Sequence, residues 1–405
     1  MENIKRNIFL LSMAQFILLS SVVTVITYSS LVAKIMTGST SLATIPAATA
    51  FLATAAFAFP ASMFMKKFGR KRGFYFGAIL GGISGLLAVV SIYQESYYLL
   101  CFATFCHGSY QAFANYYRFT AMEVSPPAFH KQAVSYVILG GVLAGACAPT
   151  LAHLFESNYY EPVLYAGTYC LIIALSFVAY FLIYLIKLPK KDTSNEVENS
   201  QHKNPTFMEV LKRPAFICAS LSATCAYLCM SFIMTATPLE VVEVCGFLRE
   251  DAAGVIQWHS MSMFAPAIIT GTLIARFGSI KIILTGMMIM LLSTLIAKAG
   301  VELSNFYVAL VLIGIGWNFM FTAGTTLLEH AYEDHEKAYV QGLNDFVVFG
   351  LAGLATLTSG FALEYIGWNQ MNNIVIGFLA LLVILILWFI KVRDGGPKDR
   401  SAAVI

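Results

Sequence analysis

The chain is a succession of apolar runs, each about as long as a bilayer is thick. A helix needs about 20 predominantly apolar residues to cross a hydrocarbon core about 30 Å deep. Runs of that kind fall at 8–29, 42–64, 74–92, 98–119, 133–154 and 163–186, then at 215–237, 253–275, 280–297, 306–328, 340–363 and 374–390. Backbone in lipid must satisfy its own N–H and C=O groups, so runs of this length read as helices. They are too long and too evenly apolar for barrel strands, which alternate apolar and polar residues. The expectation is an all-α membrane protein with twelve transmembrane helices.

Composition excludes the soluble alternative. Charged residues make up 12% of the 405 positions and apolar residues 58%, whereas a soluble domain carries about 25% charge. Met1 to Arg6 forms a basic lead into the run 8–29. That run is longer than a signal-peptide core and is expected to remain as the first helix. The eight cysteines lie in or beside apolar runs. None has the paired spacing of a metal site or disulfide frame, so they read as small buried hydrophobes, and no metal or cofactor is expected.

Positive charge predicts the orientation. With the N-terminus placed in the cytoplasm, all of the 25 Lys and Arg residues except Lys34, Arg249 and Lys298 fall in inner segments. Inner loops carry an excess of Lys and Arg. Both termini are therefore expected in the cytoplasm, with the chain in the cell (inner or plasma) membrane.

The longest polar stretch begins at Pro189 and separates two sets of six runs. This predicts a six-helix bundle over 1–186, a cytoplasmic linker over 187–213, a second six-helix bundle over 214–392 and a cytoplasmic tail over 393–405. Residues 205–216 read as a short amphipathic helix at the inner surface. The halves also repeat each other. A tight basic turn joins the second and third runs through Phe68 and Gly69, and 209 residues later Phe277 and Gly278 join the eighth and ninth. Duplicated halves around a cavity are a common plan of secondary transporters.

Six plus six runs with basic turns at equivalent positions resemble the major facilitator superfamily, and the resemblance covers nearly the whole chain. Its inner-loop signature runs G-x-x-x-D-R-x-G-R-[KR]. Here Gly69, Arg70 and Lys71 match its end, while Ser62, Lys66 and Lys67 replace the first Gly, the Asp and the Arg. Without the Asp, the charge contacts that this turn usually makes must differ. The second copy keeps Gly271, Arg276 and Gly278, with Ala275 in place of the acid. In the fifth run Gly141, Gly145 and Pro149 resemble the glycine–proline motif of antiporter branches, with Ala148 where that motif has Gly. Physically, the two glycines allow close helix approach, and Pro149 removes a backbone hydrogen bond and favours a bend. Close packing alone is the plainer account of these three residues, with a gating bend as the alternative. Gln257, Trp258 and His259, Gly314 to Phe319 and Gln341 to Phe346 resemble one bacterial branch whose members largely lack an assigned substrate.

Polar residues inside a membrane are costly and face protein or a watery cavity. His107, Gln111, Asn115 and Arg118 follow at steps of four, four and three, which places them on one stripe of the fourth run. The resemblance implies that the first, fourth, seventh and tenth spans line a central cavity. It thereby nominates Gln15, the stripe, Thr235, Trp317 and Asn318 as substrate-binding. Each has a plainer reading: Arg118 snorkelling to headgroups, His107 in a structural hydrogen bond, Trp317 in packing. Asp345 is the one acid within a run, two turns from its inner end, and His259 lies nearer the outer side. The resemblance brings the second and eleventh spans together across the halves, and likewise the fifth and eighth. Asp345 and His259 are thus expected as coupling or gating residues, together with Gly69, Arg70, Gly141, Gly145, Pro149, Arg276 and Gly278.

The mechanism expected is alternating access about a midplane cavity, with a small organic solute as cargo. No G-x-x-x-x-G-K-[ST] loop is present, so energy would come from a gradient, with protons favoured because His107, His259 and Asp345 can titrate. No G-x-S-x-G or H-E-x-x-H constellation points to an enzyme, nucleic acid is not an expected partner, and a monomer is expected. A membrane receptor that kept a transporter fold is the alternative. An Arg in the cavity favours a carboxylate cargo, whereas the antiporter-like motif favours a drug-type one. The orientation carries its own test. A reporter active only in the cytoplasm should work when fused after Asn199, and one active only outside should work near Gly246; an outside signal at Asn199 would overturn the topology.

Overall fold

The computed structural model describes residues 2–126, 129–159, 165–188, 205–333 and 336–394. Among the described residues every regular element is helical. The first half contains α1 (Glu2–Thr37), α2 (Thr40–Ala43), α3 (Ile45–Phe68), α4 (Arg70–Tyr93), α5 (Tyr97–Ala114), α6 (Tyr117–Glu123), α7 (His130–Tyr159) and α8 (Ala166–Leu185). The second contains α9 (Phe207–Leu211), α10 (Pro214–Leu239), α11 (Arg249–Phe264), α12 (Ala267–Phe277), α13 (Ser279–Ala299), α14 (Leu303–Leu328), α15 (Lys337–Tyr365) and α16 (Gly367–Asp394).

Among the described residues ten helices are long and apolar enough to cross a membrane, and α11 with α12, bent by 40°, counts as an eleventh when the pair is taken as one broken span. The run 98–119 behaves differently. It is divided at Asn115 and Tyr116 into α5 and the seven-residue α6, so the stripe expected on one straight helix is split. His107 and Gln111 belong to α5, and Arg118 belongs to α6. The short helix expected at 205–216 is present as α9, closed by a capping box between Thr206 and Glu209, with Val210 buried beneath it. Most of the expected linker (189–204) and most of the tail (395–405) lie outside the described residues.

The helix packing is duplicated. In the first half α1 packs on α7 and α8, α4 on α5 and α8, and α3 on α5. In the second, α10 packs on α15 and α16, α13 on α14 and α16, and α11 on α14, the same pairings in the same order. The connecting turns repeat as well. Gly69 ends α3 with φ 90° and ψ 154°, and Gly278 ends α12 with φ 85° and ψ 154°. That backbone region is open essentially only to glycine. No atom lies within 4 Å of a Cβ built on either residue, so conformation and not crowding requires glycine here. Lys71, two residues past the first turn, donates to the carbonyls of Tyr184 and Ile186 at 2.9 and 2.7 Å. It thereby closes the C-terminal end of α8, where unpaired carbonyls accumulate.

The two halves touch mainly through α3 with α15 and α7 with α11, the pairs of spans expected to meet. These contacts gather at the end of the molecule away from the N-terminus. There Gly360 N–H donates to Thr44 Oγ1 at 3.1 Å, and Ser41 N–H donates to Glu364 at 2.5 Å. On the other pair, Gln257 Nε2 donates to the Ala146 carbonyl at 2.6 Å. A Cβ on Gly145 would stand 2.7 Å from Met261 N, so α7 and α11 meet backbone to backbone.

The apolar core follows the same asymmetry. One buried cluster unites the second half with the far ends of the first-half helices, from Val23 to Ala33 on α1 and from Ala148 to Ala152 on α7. The near ends, including Leu11, Phe74, Tyr117 and Ile183, form a separate cluster to which the second half contributes no buried residue. The halves thus share one apolar core at the far end and keep separate apolar cores at the near end. For the turns, we expect Gly278→Ala to cost about 1–3 kcal/mol through its backbone conformation. Gly271→Ala, in open space on α12, should be neutral or gain up to about 1 kcal/mol of helix propensity. Thermal unfolding in detergent compares the two, and equal melting temperatures would remove the backbone argument.

Candidate functional site

A cavity of about 60 Å³ lies where the halves meet. Its wall comes from both sides: Leu19 and Ile26 of α1, Phe51 of α3 and Gln111 of α5 face Tyr227 and Met230 of α10 and Phe264 of α11. Ligand pockets for organic molecules usually enclose about 300–1,000 Å³. A cargo of that size therefore needs the halves to part from the contracted form seen here.

Gln111 is the stripe residue that reaches this cavity, with Thr54 Oγ1 3.4 Å from its Oε1. Tyr227, which the sequence reading missed, faces it from the other half. Its ring sits edge-on to Trp317 at 5.1 Å, to Phe321 at 5.0 Å and to Phe349 at 5.3 Å. Trp317 is the buried backing of this aromatic wall, parallel to Phe321 at 5.1 Å and edge-on to Phe264 at 6.1 Å. Its indole N–H has no partner, an orphan donor one ring behind the cavity. The available signal for Tyr227 was a lone Tyr within an otherwise apolar seventh run, a residue type that pairs apolar area with a polar tip.

Asn318 has a different place from the one expected. Its Nδ2 donates to the Met263 carbonyl at 2.7 Å, and its Oδ1 accepts from Thr270 Oγ1 at 2.7 Å. Those partners stand on either side of the α11–α12 bend at Pro266, which has no N–H to offer the preceding turn. Asn318 therefore braces the broken span and positions Met263 and Phe264, both of which line the cavity.

His107 also turns from the cavity. It is buried, with Nδ1 3.5 Å from Ser84 Oγ of α4 and its ring edge-on to Tyr110 at 5.9 Å. Thr235 is buried with an unpartnered hydroxyl, and Gln15 is half-buried on α1; neither lines the cavity. His259 is buried against α14, where Nδ1–H donates to the Leu310 carbonyl at 2.7 Å while Nε2 is unpartnered. Gly141 and Gly145 lie at the α7–α11 crossing, where a Cβ on Gly141 would press on Leu19 and Phe264. Pro149 sits within an unbroken α7.

Toward the near end a charged group spans the halves. Arg118 of α6 and Asp345 of α15 are both half-buried. Each lies within electrostatic reach of the other and of Tyr116 and Tyr227. Asn344 donates to Asp345 at 3.3 Å, and Arg118 Nε has no partner. Among the described residues neither makes an ion pair within 4 Å. Asn115 marks the α5–α6 break between this group and Gln111. At the basic turn, Arg70 finds the acid that the signature lacks: its guanidinium binds Glu123 of α6 at 2.6 Å and covers the Tyr116 ring at 4.9 Å. No sequence spacing links these two residues, which are 53 positions apart. Arg276, at the second turn, is exposed and lies over Phe277 at 5.3 Å.

Duplicated helical halves that enclose a small cavity between them, joined at one end and separate at the other, define a membrane carrier. The chain belongs to the Major Facilitator Superfamily, whose family model matches residues 8–296 and 252–404, as the sequence resemblance implied. It is 31% identical over 399 residues to the riboflavin transporter RfnT of Brucella anthropi, covering 98% of both chains. It is 25% identical to the uncharacterized MFS-type transporter YdeG of Bacillus subtilis, over 95% of this chain and 92% of that protein. Among solved structures, it is similar to a bacterial homologue of the human lysosomal transporter Spinster in an inward-facing and occupied conformation. That match has a TM-score of 0.72 at 14% identity and covers 97% of this chain and 98% of that one. The E. coli fucose:proton symporter FucP matches with a TM-score of 0.63 at 18% identity, over 95% and 97% of the two chains.

The two polar side chains on α14 and α5 should separate experimentally. Asn318→Ala takes the amide donor from the buried Met263 carbonyl and leaves the Thr270 hydroxyl with the Pro266 carbonyl alone, a loss of about 1–3 kcal/mol for an unsatisfied buried group. It should lower the melting temperature of the detergent-solubilised protein, whereas Gln111→Ala should leave it close to wild type. Equal melting temperatures in both variants would show that Asn318 does not brace the bend.

Proposed function

We propose that this protein is a secondary transporter of a planar heteroaromatic solute of the riboflavin type, moved by alternating access and coupled to protons. In this reading twelve spans form two six-helix bundles over 1–186 and 214–392, joined by the linker 187–213. The chain acts as a monomer in the cell membrane with both termini, including the tail 393–405, in the cytoplasm. The observation that carries it is the cavity at the junction of the halves, with Gln111 on one side and the Tyr227–Trp317–Phe321 aromatic group on the other. With this orientation the far end, with its shared core, faces outward, and the near end is the one that opens to the cytoplasm.

The class of cargo rests on chemistry and on kinship together. Aromatic faces suit a flat ring system through stacking and edge contacts. An amide such as Gln111, which both donates and accepts, suits a cargo with both kinds of group. The 31% identity to a riboflavin transporter over 98% of the chain supports the same class. An uncharged cargo also removes the need for Arg118 to grip a carboxylate. Arg118 and Asp345 then serve as a cation on one half and an acid on the other, which attract when the near end closes. A proton on Asp345 removes that attraction and links the gate to the gradient.

Proteoliposomes test cargo and coupling together. Labelled riboflavin should accumulate in response to a proton gradient, and unlabelled riboflavin should compete. Asp345→Asn should lower gradient-driven accumulation more than it lowers exchange of labelled for unlabelled riboflavin across the same membrane. Absence of saturable riboflavin movement in either assay would sink the assignment of cargo, and equal loss in both would make Asp345 structural.

A further inference from the structure

A second and larger cavity, about 510 Å³, opens between α1 and α7, and among the described residues its lining comes from the first half alone. The two helices meet at Gly140, where a Cβ would stand 2.3 Å from the Ser12 carbonyl oxygen. Phe9, Tyr136 and Leu139 line the groove and are 61%, 51% and 40% exposed. Phe129 and Tyr136 extend the wall with ring centroids 6.3 Å apart. The hydroxyl of Ser12 donates to the Ile8 carbonyl at 2.8 Å, so the middle of the groove presents apolar side chains to an occupant. Lys5, exposed at the N-terminal end of α1, is the charged residue of the lining.

We propose that this groove holds one acyl chain of an anionic phospholipid, with the headgroup phosphate against Lys5. Three observations bear on that choice. The wall is apolar and the helices on both sides are membrane-spanning, so hydrocarbon is the medium in contact with it. Among the described residues of the lining the one charged group is the Lys5 ammonium, which favours a headgroup of net negative charge over a zwitterionic or neutral one. From Lys5 to Met13 the helix rises about 12 Å, close to the depth of one leaflet in a core of about 30 Å, so a headgroup at Lys5 leaves its chain at the right length along the groove. The inference stands apart from the identity of the cargo. A lipid seated there pins α1 to α7, the first-half helices that line the cavity or cross α11.

The test uses the purified full-length protein in mild detergent, titrated with dioleoylphosphatidylglycerol, dioleoylphosphatidylcholine or inorganic phosphate. Melting temperature reports stabilisation, and native mass spectrometry counts retained lipids. Phosphatidylglycerol should bind about fivefold more tightly than phosphatidylcholine, the worth of one Lys near an anionic surface. Phosphate alone should bring no shift. Lys5→Gln should bring the ratio of the two lipids to near one while leaving both bound, and Leu139→Trp, which fills the groove, should reduce retention of both. Should Leu139→Trp fold poorly, Phe9→Trp fills the same groove from α1. The proposal is overturned if Lys5→Gln keeps the preference, if phosphate alone stabilises the protein, or if the fillers dissociate a dimer instead of a lipid.

Discussion

Hydrocarbon offers no partner to a backbone amide or a polar side chain, and each choice in this molecule answers to that fact. The main chain closes its own hydrogen bonds in long helices. Where the ladder fails, a side chain from a neighbour repairs it: Asn318 bridges the bend at Pro266, and Lys71 takes up the last carbonyls of α8. At the junction of the halves Gln111 lines the cavity, and Arg118 and Asp345 approach each other from the two sides. Solvating those groups is the work of the cavity and, by our reading, of its cargo.

The packing divides the molecule into two blocks. Each half repeats one scheme of helix pairing, and the halves meet along two crossings, where Gly145 and Gly360 let backbones approach. Glycine at such crossings lets the backbones pack closely, which holds the halves together along these two lines. The near end of the first half has its own buried core. It can tilt without exposing that core, and the Arg70–Glu123 pair rides inside the same block.

What the sequence disclosed and what it withheld divide along a physical line. Spans were legible because length and apolarity alone determine them, and the duplicated turns were legible because Gly69 and Gly278 must be glycine for conformational reasons. Pairing of the second with the eleventh span, and the fifth with the eighth, followed from the superfamily resemblance. The side-chain tasks were not legible. His107, Gln111, Asn115 and Arg118 follow helical spacing, but the break at Asn115 sends them to different neighbours. Asn318 looked like a ligand because a polar residue in a span signals a need without naming what meets it. Tyr227 was missed because an aromatic residue in an apolar run reads as packing until the opposite wall is seen. The Glu123 partner of Arg70 depends on tertiary contact alone.

The shared core at the far end has a consequence for binding from the two sides of the membrane. Opening that end would bring the apolar faces of α1 and α10, among them Val23, Ile26, Met230 and Met234, into contact with water. Such exposure is unfavourable in proportion to its area. On the alternating-access reading proposed above, the form that accepts cargo at the far side is therefore the rarer one at rest. Apparent affinity there is weaker than intrinsic affinity by the fraction of molecules in that form. A carrier built this way presents unequal half-saturation to its two compartments even with one set of contacting residues. Substitutions that loosen the far-end core would tighten apparent binding on that side without touching the cavity.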